Sequence, residues 1–200
     1  MAILKATSKG IVDRAVQALD EGKLLVYPTD TLYGLGADAT RDDCVRQIFT
    51  LKKRDPEQPV SVMVSSFRMM EHYAEFSAKQ KAIAKKILPG RVTVILDGRN
   101  LARNLSPSGV AFRIPLSPLA AEIAESFNKP ITATSVNPTG EKPATTAQDA
   151  YNYFGELVEL YIDAGKIAGD PSTVVDLRDE PEIVREGADH EKVLKAIGKK

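Results

Sequence analysis

Apolar positions along this chain switch repeatedly between helical and strand periods. Ile3 to Ala6 reads as a short strand. Ile11, Val12, Ala15, Val16 and Leu19 then recur at helical spacing, with Ser8 as a cap and Gly22 as a stop. Leu24–Tyr27 is a short apolar strand, broken at Pro28, whose ring fixes φ and removes a donor. Thr29 to Tyr33 follows as a polar loop marked by Gly34 and Gly36. Thr40 opens a second helix with Cys44, Val45, Ile48 and Phe49 on one face, and it ends in the cations Lys52, Lys53 and Arg54. Pro56 and Pro59 force an extended path into the strand Val60–Val64. Ser65 or Ser66 starts a helix carrying Phe67, Met70 and Tyr73, and Ser77 caps another carrying Ile83, Ile87 and Leu88. Val92–Leu96 and Gly109–Ile114 are strands around a polar loop or hairpin, Asp97 to Ser108.

In the last third, Pro118 leads a helix to Phe127, Ile131–Thr134 is a strand, and Thr146 caps a helix to Phe154. Leu157–Ile162 alternates as a strand should. Thr173–Leu177 and Ile183–Arg185 form a final hairpin, and Glu191–Ile197 a terminal helix. Strands and helices interleave throughout, so the class is α/β with a mixed parallel and antiparallel sheet.

Composition narrows the class little. The 200 residues suit one domain, residues 1–200, and 43% hydrophobic with 27% charged residues is an ordinary globular balance. The net charge is zero, so basic surface for nucleic acid has to be local. Cys44 is the only cysteine and sits on an apolar helix face, which suits a core residue in a reducing, cytoplasmic setting. No run is long enough to span a membrane and the amino terminus lacks a signal-peptide pattern. His72 and His190 match no metal-ligand spacing, so no protein metal site is expected.

Candidate chemistry collects at strand ends that open into polar loops: Thr29–Tyr33, Arg113, Thr134–Asn137, Ser172 and Arg185. The set contains hydroxyls, amides and cations, but no Ser-His-Asp arrangement and no carboxylate pair. It suits phosphate and carboxylate recognition by position and charge. Taken locally, the Lys52–Arg54 end is equally a solvated helix terminus or an anion clamp with a bidentate fork at Arg54.

Read together, the segments resemble one family. Pro28-Thr29-Asp30-Thr31-Leu32-Tyr33-Gly34-Leu35-Gly36-Ala37-Asp38-Ala39 followed by Lys52-x-Arg54 is similar to the YrdC/TsaC family of threonylcarbamoyl-AMP synthases. Phe112-Arg113-Ile114-Pro115, Ser135-Val136-Asn137-Pro138, Pro171-Ser172-Thr173 and Val184-Arg185-Glu186-Gly187 follow in family order. The resemblance implies a single YrdC-like domain: a twisted mixed sheet with flanking helices and a large concave cleft. It omits the extra carboxy-terminal domain of longer relatives. It also implies condensation of L-threonine, bicarbonate and ATP into threonylcarbamoyl-AMP and pyrophosphate, with Mg2+ carried by ATP. The product serves N6-threonylcarbamoyladenosine formation in tRNA through a downstream transferase complex.

By position, the resemblance gives Lys52 and Arg54 to the nucleotide phosphates as the catalytic pair. Gln58, Gly109, Ser135, Asn137 and Arg185 complete the ATP set. Thr31, Tyr33, Met63, Arg113, Ala133 and Ser172 surround the threonine, Ala133 through backbone alone and Arg113 as partner of the carboxylate. Four positions depart from the family pattern. Asp55 stands before Pro56, Met63 replaces a frequent histidine, Arg91 follows Pro89-Gly90, and Val136 replaces alanine. Intact Arg54 and Ser135-x-Asn137 set the chain apart from a YciO-like branch. The alternative reading is an RNA-binding module of the same fold without synthase activity.

Overall fold

The first turn of the chain already shows how tertiary geometry overrides local signals. The computed structural model describes residues 1–199. After β1 (Ala2–Lys5), helix α1 (Ile11–Asp20) starts from Gly10 at φ 72°, without a side-chain cap. Ser8, the expected cap, contributes only its carbonyl to the Ile11 N–H. Strands β2 (Leu25–Pro28) and β3 (Tyr33–Gly36) pair antiparallel. Of the segment expected to be a glycine-marked loop, Tyr33–Gly36 is therefore a strand and Thr29 to Leu32 remains a loop. Gly34 and Gly36 are required there because an added Cβ would meet the Tyr27 ring at 2.8 Å and 2.9 Å.

Helix α2 (Asp42–Lys52) follows, with Arg41 rather than Thr40 in the capping position. Thr40 instead donates to Asp38 Oδ1 through both its N–H and its hydroxyl. The prolines shrink the next strand to β4 (Val62–Met63). Ser66 caps α3 (Phe67–Tyr73), which leads into β5 (Ala74–Glu75). Ser77 and Gln80 form a capping box on α4 (Ala78–Ile87). Strands β6 (Val92–Gly98) and β7 (Val110–Arg113) pair antiparallel, and Pro118 opens α5 (Pro118–Phe127).

The expected strand Ile131–Thr134 splits into β8 (Ile131–Thr132) and β9 (Thr134–Ser135). Helix α6 (Ala147–Phe154) carries a Thr146–Asp149 capping box. Leu157, exposed at 72%, falls in a short 3-10 turn, and the strand starts three residues later as β10 (Leu160–Asp163). The closing hairpin is β11 (Thr173–Asp176) with β12 (Glu182–Arg185), followed by α7 (His190–Ile197).

Two mixed sheets result where one was expected. One runs β1-β10-β2-β3-β9; the other runs β12-β11-β6-β7-β4-β8, with β5 added at β6. The chain passes from the second to the first at Ala133, between β8 and β9. Helices α1 and α5 bury Leu19, Ile123 and Phe127 against Tyr27, Ile131 and Met63 in one core. A larger core joins α2, α4 and α6 to the other faces, with Cys44, Ile48, Met70 and Phe112 buried. Among the described residues, no helix is long and apolar enough to cross a membrane.

Candidate active-site cleft

A cleft of about 530 Å³ opens where the two sheets diverge. Thr29, Thr31 and Tyr33 enter it from the β2–β3 turn, Ala133 and Ser135 from the crossover strand, and Arg113, Ser172 and Arg185 from the larger sheet. Arg54 reaches it from just beyond α2.

The strand ladders explain how two arginines come to share one face. Thr93 pairs with Val174, and Val174 with Arg185. Arg113 stands one step beyond the Val94–Phe112 pair, on the same row. The β11–β12 ladder slips there, so Val174 opposes Arg185 while Val175 opposes Ile183. Val184 is the extra residue of this bulge, 60% exposed at the cleft, and the bulge turns Arg185 inward.

Arg113 is buried, with its Nη2 donating to Asp30 Oδ1 at 2.6 Å and its Nη1 to Thr31 Oγ1 at 3.0 Å. One N–H on each terminal nitrogen remains, the fork that a carboxylate matches. Arg185 donates through Nε and Nη2 to Ser172 O, at 3.2 Å and 2.8 Å. The Ser172 hydroxyl also lies 2.8 Å from Thr93 Oγ1. Arg54 donates to Gln58 O at 3.3 Å and Pro59 O at 2.9 Å. Burial lowers the pKa of Arg54 and of Arg185, the latter also through Arg113. Both stay cationic, since an arginine starts far above neutrality. Neither donates to a carboxylate among the described residues.

Tyr33 lines the cleft and also anchors the strap between β10 and β11. Its hydroxyl donates to Gly165 O at 2.7 Å and accepts from Ala164 N at 3.0 Å. Burial raises its pKa. Further along the strap, Gly169 N donates to Thr31 O at 3.1 Å.

Five expected site residues lie outside the cleft lining. Met63 is fully buried beside Tyr27 and Ile131, because its side chain lies on the sheet face covered by α1 and α5. Gln58 is exposed and offers Arg54 its carbonyl. Gly109, at φ 66°, is packed against the Arg178 guanidinium. The Asn137 amide is used on Pro138 O at 2.9 Å and Glu141 O at 2.8 Å. Lys52 is 1% exposed and donates to Ser135 O and to Asn137 O, the latter at 2.7 Å. Burial, with Arg54 nearby, brings its pKa down to about 7.

Ser61 and Thr93 are not among the expected residues, and Asp30 falls within the candidate loop Thr29–Tyr33 without a role of its own. Thr93 interrupts an otherwise apolar strand, a signal that sequence could have offered. Ser61 lines the cleft and donates to Ala133 O at 2.9 Å; nothing local marks it.

Fold and site together define an α/β scaffold whose cleft presents three guanidinium groups and several hydroxyls. The chain belongs to the Sua5/YciO/YrdC family, whose model, described as telomere recombination, matches residues 17–187. A threonylcarbamoyl-AMP synthase of Pyrococcus abyssi is 34% identical over 185 residues, covering 89% of this chain and 54% of that protein. This chain thus spans about half the length of that relative. One of Chromohalobacter salexigens is 33% identical over 179 residues, covering 88% of this chain and 96% of that protein. The crystal structure of P. abyssi Sua5 complexed with L-threonine superposes with a TM-score of 0.93 at 31% identity. It covers 100% of this chain and 62% of that one.

Proposed function

We propose that this protein is an L-threonylcarbamoyladenylate synthase, a nucleotidyltransferase that joins L-threonine, bicarbonate and ATP with release of pyrophosphate. One observation carries the reading: Arg54, Arg113 and Arg185 line one cleft, and two of them donate only to backbone carbonyls and a serine hydroxyl. A substrate set of carboxylate, carbamate and triphosphate needs such an excess of positive charge. The relatives named threonylcarbamoyl-AMP synthase, and the Sua5 structure holding L-threonine, support it.

The free N–H groups of Arg113 take the threonine carboxylate. Thr31 and Ser172 flank it with hydroxyls, and Tyr33 and Ala133 close the pocket. The threonine amine attacks bicarbonate carbon, and loss of water leaves a carbamate. A carbamate oxygen then bonds to the α-phosphorus of ATP as the bond to the bridging oxygen breaks and pyrophosphate leaves. Arg54 and Arg185 hold the phosphates in line while Ser135 sits against the nucleotide, and the work is positioning and charge stabilisation. Magnesium would arrive with ATP and be held by its phosphates. Asp30, beside the cleft, already accepts Arg113, and no group of three metal-ligating side chains occurs among the described residues. The product would pass to a transferase complex acting on tRNA in the cytoplasm.

Incubation with ATP, bicarbonate and labelled threonine tests the reading. A labelled adenylate and one pyrophosphate per adenylate are expected. ATP left intact with threonine and bicarbonate present, alongside salt-sensitive RNA binding, would replace the enzyme by a nucleic-acid module.

A further inference from the structure

The crossover strand that carries Ser135 has an unusual hydrogen-bond problem. It leaves one sheet and enters another within five residues, so regular ladder partners are missing for several buried carbonyls. Each must find a donor elsewhere. Thr132 O takes the Tyr27 hydroxyl at 2.9 Å, and Ala133 O takes the Ser61 hydroxyl at 2.9 Å. Val136 O takes the Ala144 N–H at 2.8 Å. Ser135 O and Asn137 O, two residues apart, both take Lys52 Nζ.

An ammonium has three N–H donors and no more. Two go to those carbonyls, and the third points to Asn137 Oδ1 at 3.5 Å. Lys52 is 1% exposed and does not line the cleft. Its backbone carbonyl takes the Thr139 N–H at 2.8 Å, so the residue grips the same loop at both ends. Asn137 Oδ1 in turn accepts the Ser135 hydroxyl at 2.7 Å. That bond uses the hydroxyl's only proton and leaves oxygen lone pairs for the cleft.

The geometry points to Lys52 as a positioning residue: its ammonium fixes the shape of Ser135–Asn137, aims Ser135 into the cleft, and makes no contact with the nucleotide. The identity of that nucleotide as ATP rests on the proposed function; the tether does not. Arg54, two residues on, lines the cleft and is left as the cation of this turn that meets phosphate. Burial and Arg54 bring the Lys52 pKa down to about 7 with no carboxylate acting on it, and the contacts its nitrogen makes are to the carbonyl oxygens of Ser135 and Asn137.

The test compares Lys52→Met, Ser135→Ala and the double variant in binding ATP and AMP by calorimetry. Losing a charge-assisted tether lowers affinity about 10- to 100-fold. A positioning role makes that loss equal for ATP and AMP. It also makes Lys52→Met nearly silent once Ser135 is already alanine, since both act through one hydroxyl. A loss confined to ATP would place Lys52 on the outer phosphates and overturn the inference, as would full additivity. If Lys52→Met does not fold, Lys52→Gln, which also removes the charge, takes its place.

A second arm needs no ligand. Amide hydrogen exchange across residues 134–139 of the free protein should speed up in the variant, relative to the strands β2 and β6. Unchanged exchange there refutes the tether. A wild-type chain that binds no adenine nucleotide would instead sink the synthase reading alone, and the exchange arm would still decide the role of Lys52.

Discussion

Replacing Arg113 with Met separates the two tasks that this side chain performs. The substitution keeps apolar bulk and removes the guanidinium. Asp30, whose side chain is 10% exposed, then loses the counter-charge 2.6 Å away. Breaking a buried ion pair from one side costs about 3–5 kcal/mol, because the remaining charge is left uncompensated. Two features favour the lower part of that range. Asp30 Oδ2 and Arg113 Nε already lack partners, so the pair is incompletely satisfied at the start. Thr31 Oγ1, which loses the Arg113 donor, keeps Thr29 Oγ1 at 3.1 Å. For a domain of this size each kcal/mol moves the melting temperature by about 2–4 °C, so the variant should melt roughly 6–15 °C below the parent. Adding Asp30→Asn removes the orphaned carboxylate and should restore at least half of the loss. It should not restore threonine binding, since the fork facing the cleft is gone. Thermal unfolding of the three proteins, with threonine titrations by calorimetry, reads both effects. A single variant melting within about 2 °C of the parent would show that the pair contributes little to folding. A double variant that regains threonine affinity would remove Arg113 from the carboxylate site.

Other substitutions probe the rest of the cleft. Arg54→Ala should weaken ATP binding by about 10- to 100-fold with little change in melting, because its bonds are to two loop carbonyls; a variant that unfolds yet binds ATP normally would make Arg54 structural. Gly169→Ala would bring a Cβ within 2.7 Å of Thr31 O, so the strap should lift and its cleavage by a protease at residues 164–170 should accelerate; unchanged cleavage would mean that the backbone absorbs the clash elsewhere. Burial pushes the Cys44 thiol up to about 11, so it stays protonated and unreactive toward iodoacetamide at pH 8 until the protein unfolds; labelling of the folded protein would contradict the packing of α2.

Much of this architecture was legible in the sequence because the signals were local. The Ser77 and Thr146 caps and the proline opening α5 act within one turn, and each helix starts where they place it. Ser8 and Thr40 offered the same local signal and failed: Gly10 takes the capping position of α1 at positive φ, and Asp38 Oδ1 accepts the Thr40 N–H and hydroxyl. Strand β3 was hidden for a tertiary reason: its glycines make room for a tyrosine from the neighbouring strand, and glycine carries no strand signal. Site residues from motif positions divide the same way. Thr31, Arg54, Arg113, Ser135, Ser172 and Arg185 reach the cleft from strand ends or turns. Met63 does not, since its side chain lies in the core that α1 and α5 cover. The roles of Asp30 and Thr93 depend on partners remote in sequence, Arg113 and Ser172.

The interleaving of the first sheet has a consequence for the order of assembly. Strand β10 sits between β1 and β2, with Leu160 beside Ala2 on one side and Leu25 on the other. In the second sheet β11 must likewise dock against β6 after most of the chain is made. A ribosome emitting this chain from its amino terminus therefore releases β1 and β2 long before the strand that joins them exists. Such distant pairings slow folding, and unfinished strand edges invite association between nascent chains. The nascent chain has to wait for its last third before the amino-terminal sheet can close.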